Sequence, residues 1–590
     1  MAAISRNSFL KQCIGLGMFV GVSPLLKHPF ATVPDDDFYA KVVKANTQEV
    51  NKLIKSFAAE ITDLRRRLGF DFVNLTAAYC EPTSPFYQKE ELIPYLTKII
   101  RFLATAQKED GTLDLGNLAS PPDTAFILEP LCSAAFLLQT QASPALNGIK
   151  TELKTFITKS GEGLKTGGVH TPNHRWVVSA ALAKIHAVYP DAGYVKRIDQ
   201  WLSEHVFIDA EGHYLERSII YSEVIDRCLI TIARLLKRPE LLEPVRRNLN
   251  MTYYYLEPNG ELVTNDSRRQ DQFMTKNILE YYHHYRYLAI RDNNATYAGI
   301  TKFIETVHGF EDIVLNDLLY HFLEEPLYKK PLPTAQPLVT NFEKFFKSTN
   351  LVRIRRDSTT TTIFGGTDWP LIIASGRSTS PNFFGFRKGD AILKYMRFST
   401  DFFSTGYFRS KGITRIAEGK YELRQKIEAP YYQPLPDAYK RADGDYQHSQ
   451  STDGRFWNKM DFEHRPQSNV KTLETTIVVE EKNGVNELTF SSKGTTGVRV
   501  TIEFCFKEGG QLIGVKKLDG PVENYTLEGE TGQYKAGKDT ITFGPGTFKH
   551  ARLNALEGEM YTSHFGSLRT EGLHVFLTAI TPFEHKLIMS

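Results

Sequence analysis

The sequence predicts a multidomain chain, helical first and β-stranded second: antiparallel helix pairs stacked as a ring or solenoid, then a large antiparallel β sandwich. Three observations carry this reading. Apolar residues recur with a helical period from about residue 35 to 325, four prolines cluster in 326–337, and two-residue alternation replaces the helical period afterwards. A chain of 590 residues also exceeds what one hydrophobic core supports.

The helical domain is expected over 32–325. Val42 to Arg66 and Glu91 to Gln107 are amphipathic stretches. Between Ser218 and Leu236, apolar residues at 220, 224, 225, 228, 229, 232, 235 and 236 trace one helix face. Leu242, Val245, Leu249, Tyr253 and Leu256 trace the next. Breakers at Pro144–Gly148, Tyr189–Gly193, Lys237–Glu240 and Glu257–Gly260 keep the connections short, so successive helices pack as hairpins. Residues 326–349 read as a linker and 350–590 as the β sandwich. Val498, Val500, Ile502, Phe504 and Phe506 alternate with Arg499, Thr501 and Glu503, as in a half-buried strand. Thr475–Val479 and Glu487–Phe490 flank Lys482-Asn483-Gly484, a hairpin signal. Further strands are expected at Leu351–Arg355, Thr361–Phe364, Leu371–Ala374, Thr540–Phe543 and Val575–Ile580.

Residues 1–31 read as an export signal, with Arg6 and Lys11 as the basic part, Cys13 to Val22 as the apolar part and a cut near Ala31. Ser5-Arg6-Asn7-Ser8-Phe9-Leu10-Lys11 is similar to the twin-arginine motif, with Asn7 in place of the second arginine, so the export route stays open. The expected location is the periplasm or outside the cell. Removing this segment takes away Arg6, Lys11 and Lys27 and leaves the rest formally neutral, against +3 for the whole chain. A neutral protein has no global attraction for nucleic acid or densely sulfated polyanions, and no later stretch is apolar enough to span a membrane. Cys80, Cys132, Cys228 and Cys505 are widely spaced in apolar surroundings and read as buried thiols. With 28 Tyr and 38 Phe the chain leans aromatic, which suits a sugar cleft and equally a packed core.

Three stretches are dense in chemistry-bearing residues. Thr171-Pro172-Asn173-His174-Arg175-Trp176 follows Gly167-Gly168-Val169-His170 and precedes an apolar helix. Asn173 is a good N-cap residue, and a helix mouth favours anions through its free N–H groups. Plain capping, with Arg175 solvated, explains the same pattern. The second stretch, Gly212 to Ser222, holds Glu216, Arg217 and Tyr221 at the start of a later helix, where Tyr221 is either core or functional. The third, Asp443 to Arg465, interleaves Tyr446, His448, Arg455, Trp457, His464 and Arg465 in a turn-rich loop.

An Asn-His pair at one helix start and a tyrosine two elements later, in a helical half followed by a β sandwich, resembles the heparinase II/III-like polysaccharide lyases. The residues that carry the resemblance are Pro121-Pro122-Asp123-Thr124-Ala125-Phe126, Pro172-Asn173-His174-Arg175-Trp176 and the surroundings of Tyr221. It implies an N-terminal (α/α) toroid, an antiparallel β domain and a substrate cleft between them. It also implies β-elimination at a 4-linked uronic acid, leaving a 4,5-unsaturated uronate. Asn173, His174 and Arg175 are then the groups that neutralise the uronate carboxylate and stabilise the enolate-like transition state. Tyr221 is the base and acid if both act on one face, with Arg217 and Arg175 as its cationic neighbours; otherwise His174 or His448 takes the proton. Asp123, His170, Trp176, Arg217, Tyr446 and Trp457 are the expected substrate contacts. Asn173, His174 and Tyr221 should converge on one cleft, with the loop around His448 crossing from the β domain.

The chain departs from the group's pattern at Pro381–Asp390, where Asn382 stands at the place of an expected histidine. Asp401 and His448 lack a third ligand, so no metal ligand and no cofactor is expected, with a structural zinc or calcium left open. The expected partner is a uronate-containing glycan; neutrality favours a glucuronate-containing, non-sulfated one, such as a rhamnosyl-glucuronate cap. Two alternatives remain: a helical-toroid glycoside hydrolase using two of Asp123, Glu216, Glu223 and Asp226, or a secreted non-catalytic glycan-binding protein.

Overall fold

The computed structural model describes residues 35–56, 60–372, 374–520, 523–553 and 571–590. The expected export signal and its cleavage site lie outside them. Among the described residues, twelve α-helices form the N-terminal domain: α1 Asp35–Ser56, α2 Arg67–Cys80, α3 Ile93–Ala106, α4 Pro121–Gln139, α5 Asn147–Thr166, α6 His174–Val188, α7 Ala192–Leu202, α8 Ile219–Leu235, α9 Leu242–Tyr255, α10 Tyr282–Arg291, α11 Ala295–Ile304 and α12 Leu319–Glu324. The even-numbered helices are the inner ring. Each of α2, α4, α6 and α8 packs on the next, α8 packs on α10, and α12 returns to α2 and α4. Helix α4 is buried almost all round, from Pro122 to Leu138, as an inner helix must be, whereas α3 buries only the stripe Leu96, Ile99, Ile100 and Leu103. Helix α1 ends at Ser56, short of the expected Arg66.

The β domain begins at strand Asn341–Phe346, inside the segment expected to be linker. Phe346 explains the early start. Its ring packs edge-on against His213 and Tyr255 of the helical domain, at 5.4 and 5.1 Å. Among the described residues, two sheets form the sandwich. One has nine strands, with Asn341–Phe346 at its edge and Leu351–Arg356, Thr359–Phe364, Phe384–Lys388, Ala391–Thr400, Arg499–Phe506 and Leu573–Ile580 following in spatial order. The other has eight and includes the hairpin Gln467–Lys482/Val485–Gly494. Asn483 and Gly484 take φ of 53° and 81°, as a two-residue primed turn requires. Alternate residues Val500, Ile502, Phe504 and Phe506 enter the core between the sheets. The segment expected as a strand at Leu371–Ala374 is loop in its described residues.

The two domains are bolted together by ions. Arg353, with no exposed surface, lies 2.9 Å from Glu257, and Thr360 donates to the same carboxylate at 2.6 Å. Arg268 forms a two-pronged pair with Asp368 at 2.8 and 2.9 Å. Truncating one partner of so buried a pair leaves the other charge stranded.

Candidate active site

Helices α6 and α8 begin at the same end of the ring, which brings their first turns together. Asn173 occupies the position before α6, yet its side chain makes no capping hydrogen bond. Its backbone N–H and its Nδ2 both donate to Glu216 Oε2, at 3.2 and 2.9 Å, and Asn173 is fully buried. Glu216 in turn accepts from Arg269 at 2.5 Å. The Arg269 guanidinium lies 4.4 Å from the centre of the Tyr221 ring and donates to the Tyr221 hydroxyl at 3.4 Å; Gln270 Nε2 donates to that hydroxyl at 3.1 Å. Asn173, Glu216, Arg269 and Tyr221 thus form one chain of contacts.

The loop that carries Arg269 is held from both sides. Ser218 caps α8 and donates to Asp271 Oδ2 at 3.0 Å, and Ile219 N donates to the same oxygen at 2.9 Å. Asp271 therefore sits on a helix N-terminus, whose free N–H groups partly offset the burial that raises its carboxyl above the usual range. Tyr255 donates to Asp266 at 2.6 Å and meets His213 at 2.8 Å, fixing the loop's other end. From the β domain, Gly376 N donates to Arg268 O and Thr379 N to Gln272 Oε1, each at 2.9 Å. The wall facing this part of the helical domain is the loop between Thr359–Phe364 and Phe384–Lys388, where Trp369 stays exposed.

His174 joins the cluster electrostatically. Its ring meets that of exposed His170 edge-on at 4.8 Å, and it feels the charges of Asp123, Arg269 and Arg66. Burial and the neighbouring His170 push it down to about 4, so it is neutral at physiological pH. Asp123 caps nothing; it is itself held by Arg66 and by Asn117 at 2.7 Å. Burial would raise Asp123, but hydrogen bonds from Asn117, Arg66 and Ser120 hold it below the usual carboxylate range.

Other expected site residues lie elsewhere. Arg175 turns outward, pairing with Glu204 at 2.6 Å and stacking on Trp176. Trp176 is 2% exposed and belongs to the helical core, because position three of an inner helix faces the ring's packing. Arg217 reaches the domain seam and donates to Ser348 O at 3.4 Å. His448, Tyr446 and Trp457 stay with their loop. Tyr446 accepts from Arg441 N, strand Trp457–Asn458 pairs with Ser449–Gln450, and Trp457 is 68% exposed. Every hydrogen bond made by the described residues 433–466 closes within the loop or on the flanking strands, so nothing ties it to the helical domain.

The metal pattern is equally local. Asn382 accepts from Arg397 Nε at 2.6 Å, a cation standing where a ligand set would need anions. Asp401 pairs with Arg552 and Arg499. Asn382, Asp401 and His448 do not form a ligand group among the described residues. As for paired carboxylates, Asp226 is fully buried and accepts from Tyr214 at 2.7 Å, Glu216 is bound by Arg269 and Asn173, and Asp123 is bound by Arg66.

Sequence reasoning missed Arg269, Gln270 and Arg66, and weighed Glu216 only as half of a carboxylate pair. The signal was the polar run Asn265 to Gln272, eight consecutive polar or charged residues between two helices.

No family model and no curated protein sequence matches this chain. Solved structures do. The chain resembles heparinase III with TM-score 0.52 and 12% identity, over 88% of this chain and 75% of that one. It resembles Streptomyces coelicolor A3 chondroitin AC lyase, solved in complex with chondroitin sulphate, with TM-score 0.53 and 12% identity over 97% and 80%. A Paenibacillus xanthan lyase gives TM-score 0.54 and 10% identity over 94% of this chain but only 57% of that one. The fold is therefore that of polysaccharide lyases built from a helical domain and a β sandwich.

Proposed function

We propose that this chain is a lyase that cleaves a 4-linked uronic acid in a polysaccharide or oligosaccharide by β-elimination. The observation that carries the reading is the Asn173–Glu216–Arg269–Tyr221 chain with neutral His174 beside it, at the mouth of the inner helices. The Tyr221 oxygen takes the C5 proton, the electron pair forms the C4–C5 double bond, and the C4–O bond breaks toward the departing sugar, which the same hydroxyl can protonate. A guanidinium against both the ring and the oxygen favours negative charge on that oxygen at the moment of transfer. His174 is uncharged and acts as a hydrogen-bonding group on the substrate carboxylate. Asn173, turned toward Glu216, is a positioning residue that holds Arg269 through that carboxylate. Arg66 and Arg269, each shared with a carboxylate, supply guanidinium hydrogen-bond donors at the cleft.

A hydrolase needs two carboxyl groups facing one glycosidic bond. Asp123, Glu216 and Asp226 are each committed to a protein partner, and Glu223 is buried beside His284 and Arg227, which favours elimination. We take the substrate to be a non-sulfated, glucuronate-containing glycan, including rhamnosyl-glucuronate caps, on the neutral charge of residues 32–590. Export to the periplasm or beyond fits such a substrate. Incubation with rhamnosyl-glucuronate, hyaluronan, alginate and heparosan, followed by ultraviolet absorbance, tests the reading. A rise from the conjugated 4,5-unsaturated product is expected with one of them; saturated ends alone would sink it.

A further inference from the structure

Below the cleft, the axis of the helical ring holds a group of side chains that the elimination chemistry does not use. Glu223 lies two residues beyond Tyr221 on α8, and His283 and His284 open α10. One ligand atom from each of the three lies within 4.8 Å of the others, and His284 Nε2 is 3.5 Å from Glu223 Oε1. His284 has no exposed surface, and its Nε2 and the Nε2 of His283 are enclosed without a hydrogen-bond partner. Buried polar atoms are seldom left without a partner, since an unsatisfied one forfeits the hydrogen bonds it made to water. One such nitrogen from each imidazole, beside one carboxylate oxygen, calls for a shared partner.

We propose that Glu223, His283 and His284 bind a divalent transition-metal ion, with zinc as the fitting class. Two imidazoles and a carboxylate suit zinc and its neighbours, whereas magnesium and calcium take oxygen sets. Bonds of about 2.0 Å in a tetrahedron put donors about 3.3 Å apart, and the His284–Glu223 pair is already near that spacing. The cation facing the group is Arg227, whose Nε is 3.7 Å from Glu223 Oε1, but its other end is bound by Glu129 at 2.6 Å. Arg227 thus shares its charge between Glu129 and Glu223. The ion would tie α8 to α10 two residues from Tyr221, a structural staple under the cleft.

The test uses tag-free full chain, treated with chelator, dialysed against zinc chloride and freed of excess, with metal measured by elemental mass spectrometry. One zinc per chain is expected in the wild type, with a higher Tm than the chelated protein. Glu223→Gln and His284→Gln should each drop to below about a tenth of that stoichiometry and lose the zinc-dependent rise in Tm. Circular dichroism and gel filtration establish that each variant is folded, and the near-isosteric Glu223→Gln stands alone should His284→Gln fail. Cobalt in place of zinc should give visible d–d bands in wild type only. Substoichiometric zinc in the wild type, or full zinc in folded Glu223→Gln, overturns the site. None of these readouts depends on lyase activity.

Discussion

The α6–α8 mouth and the loop 443–465 look alike as strings of residues, each mixing histidine, arginine, tyrosine and tryptophan. In space they differ in kind. The first is enclosed, because two inner helices begin at one end of the ring and the 265–272 loop folds over them, pinned by Asp266 and Asp271. The second leaves Trp457 mostly exposed and bonds only to itself and its flanking strands. Chemistry-rich residues become a site when rigid elements hold them against each other with water excluded; density along the chain does not supply that.

Substitutions in the two regions should therefore separate sharply. Tyr221→Phe removes the proposed proton carrier and is expected to lower kcat by roughly 10³-fold with KM little changed. Normal turnover in that variant would remove the tyrosine from the mechanism. Arg269→Gln takes away the cationic one of the two donors on the Tyr221 oxygen and is expected to cost about 10²-fold in kcat. Glu216→Gln should cost less, about tenfold, because it loosens Arg269 and leaves it present. A Glu216→Gln loss equal to that of Tyr221→Phe would make Glu216 a participant in the chemistry.

The pH dependence sharpens the same contrast. His174 sits at about 4 in the folded chain against an ordinary 6.5, so the folded state binds fewer protons between those values. Stability is then lost as pH falls from about 6.5 through 4, by about 1–2 kcal/mol after allowing for partial exposure. His174→Gln should flatten that part of the Tm–pH curve relative to wild type; an unchanged curve would mean that His174 is solvated. At the small end, His448→Ala and Trp457→Ala are expected to change kcat/KM by no more than about twofold, the scale of an exposed substitution worth about 0.5 kcal/mol. A large rise in KM for either would bring the loop into the cleft.

Legibility followed the range of the interactions. Helix α8 was readable to within a residue at each end, because a 3.6-residue stripe and the cap Ser218 are local properties. The 482–485 turn was readable for the same reason: Asn-Gly dictates its own backbone. Helix α1 was overread to Arg66 because charged, helix-compatible residues continue past the point where packing ends. Trp176 and Arg175 were misplaced because their faces depend on where α6 sits in the ring, and Arg175 finds Glu204 only across a tertiary turn.

By itself the sequence determined the order of the two domains, the positions of most inner helices and the presence of a polar helix mouth, since period, breakers and caps act over a few residues. Only the tertiary structure decided which charges meet. Arg269 lies 53 residues from Glu216 and 48 from Tyr221, and His283 and His284 face Glu223 from another helix. Contacts of that separation are set by how the ring closes, and no local pattern records it.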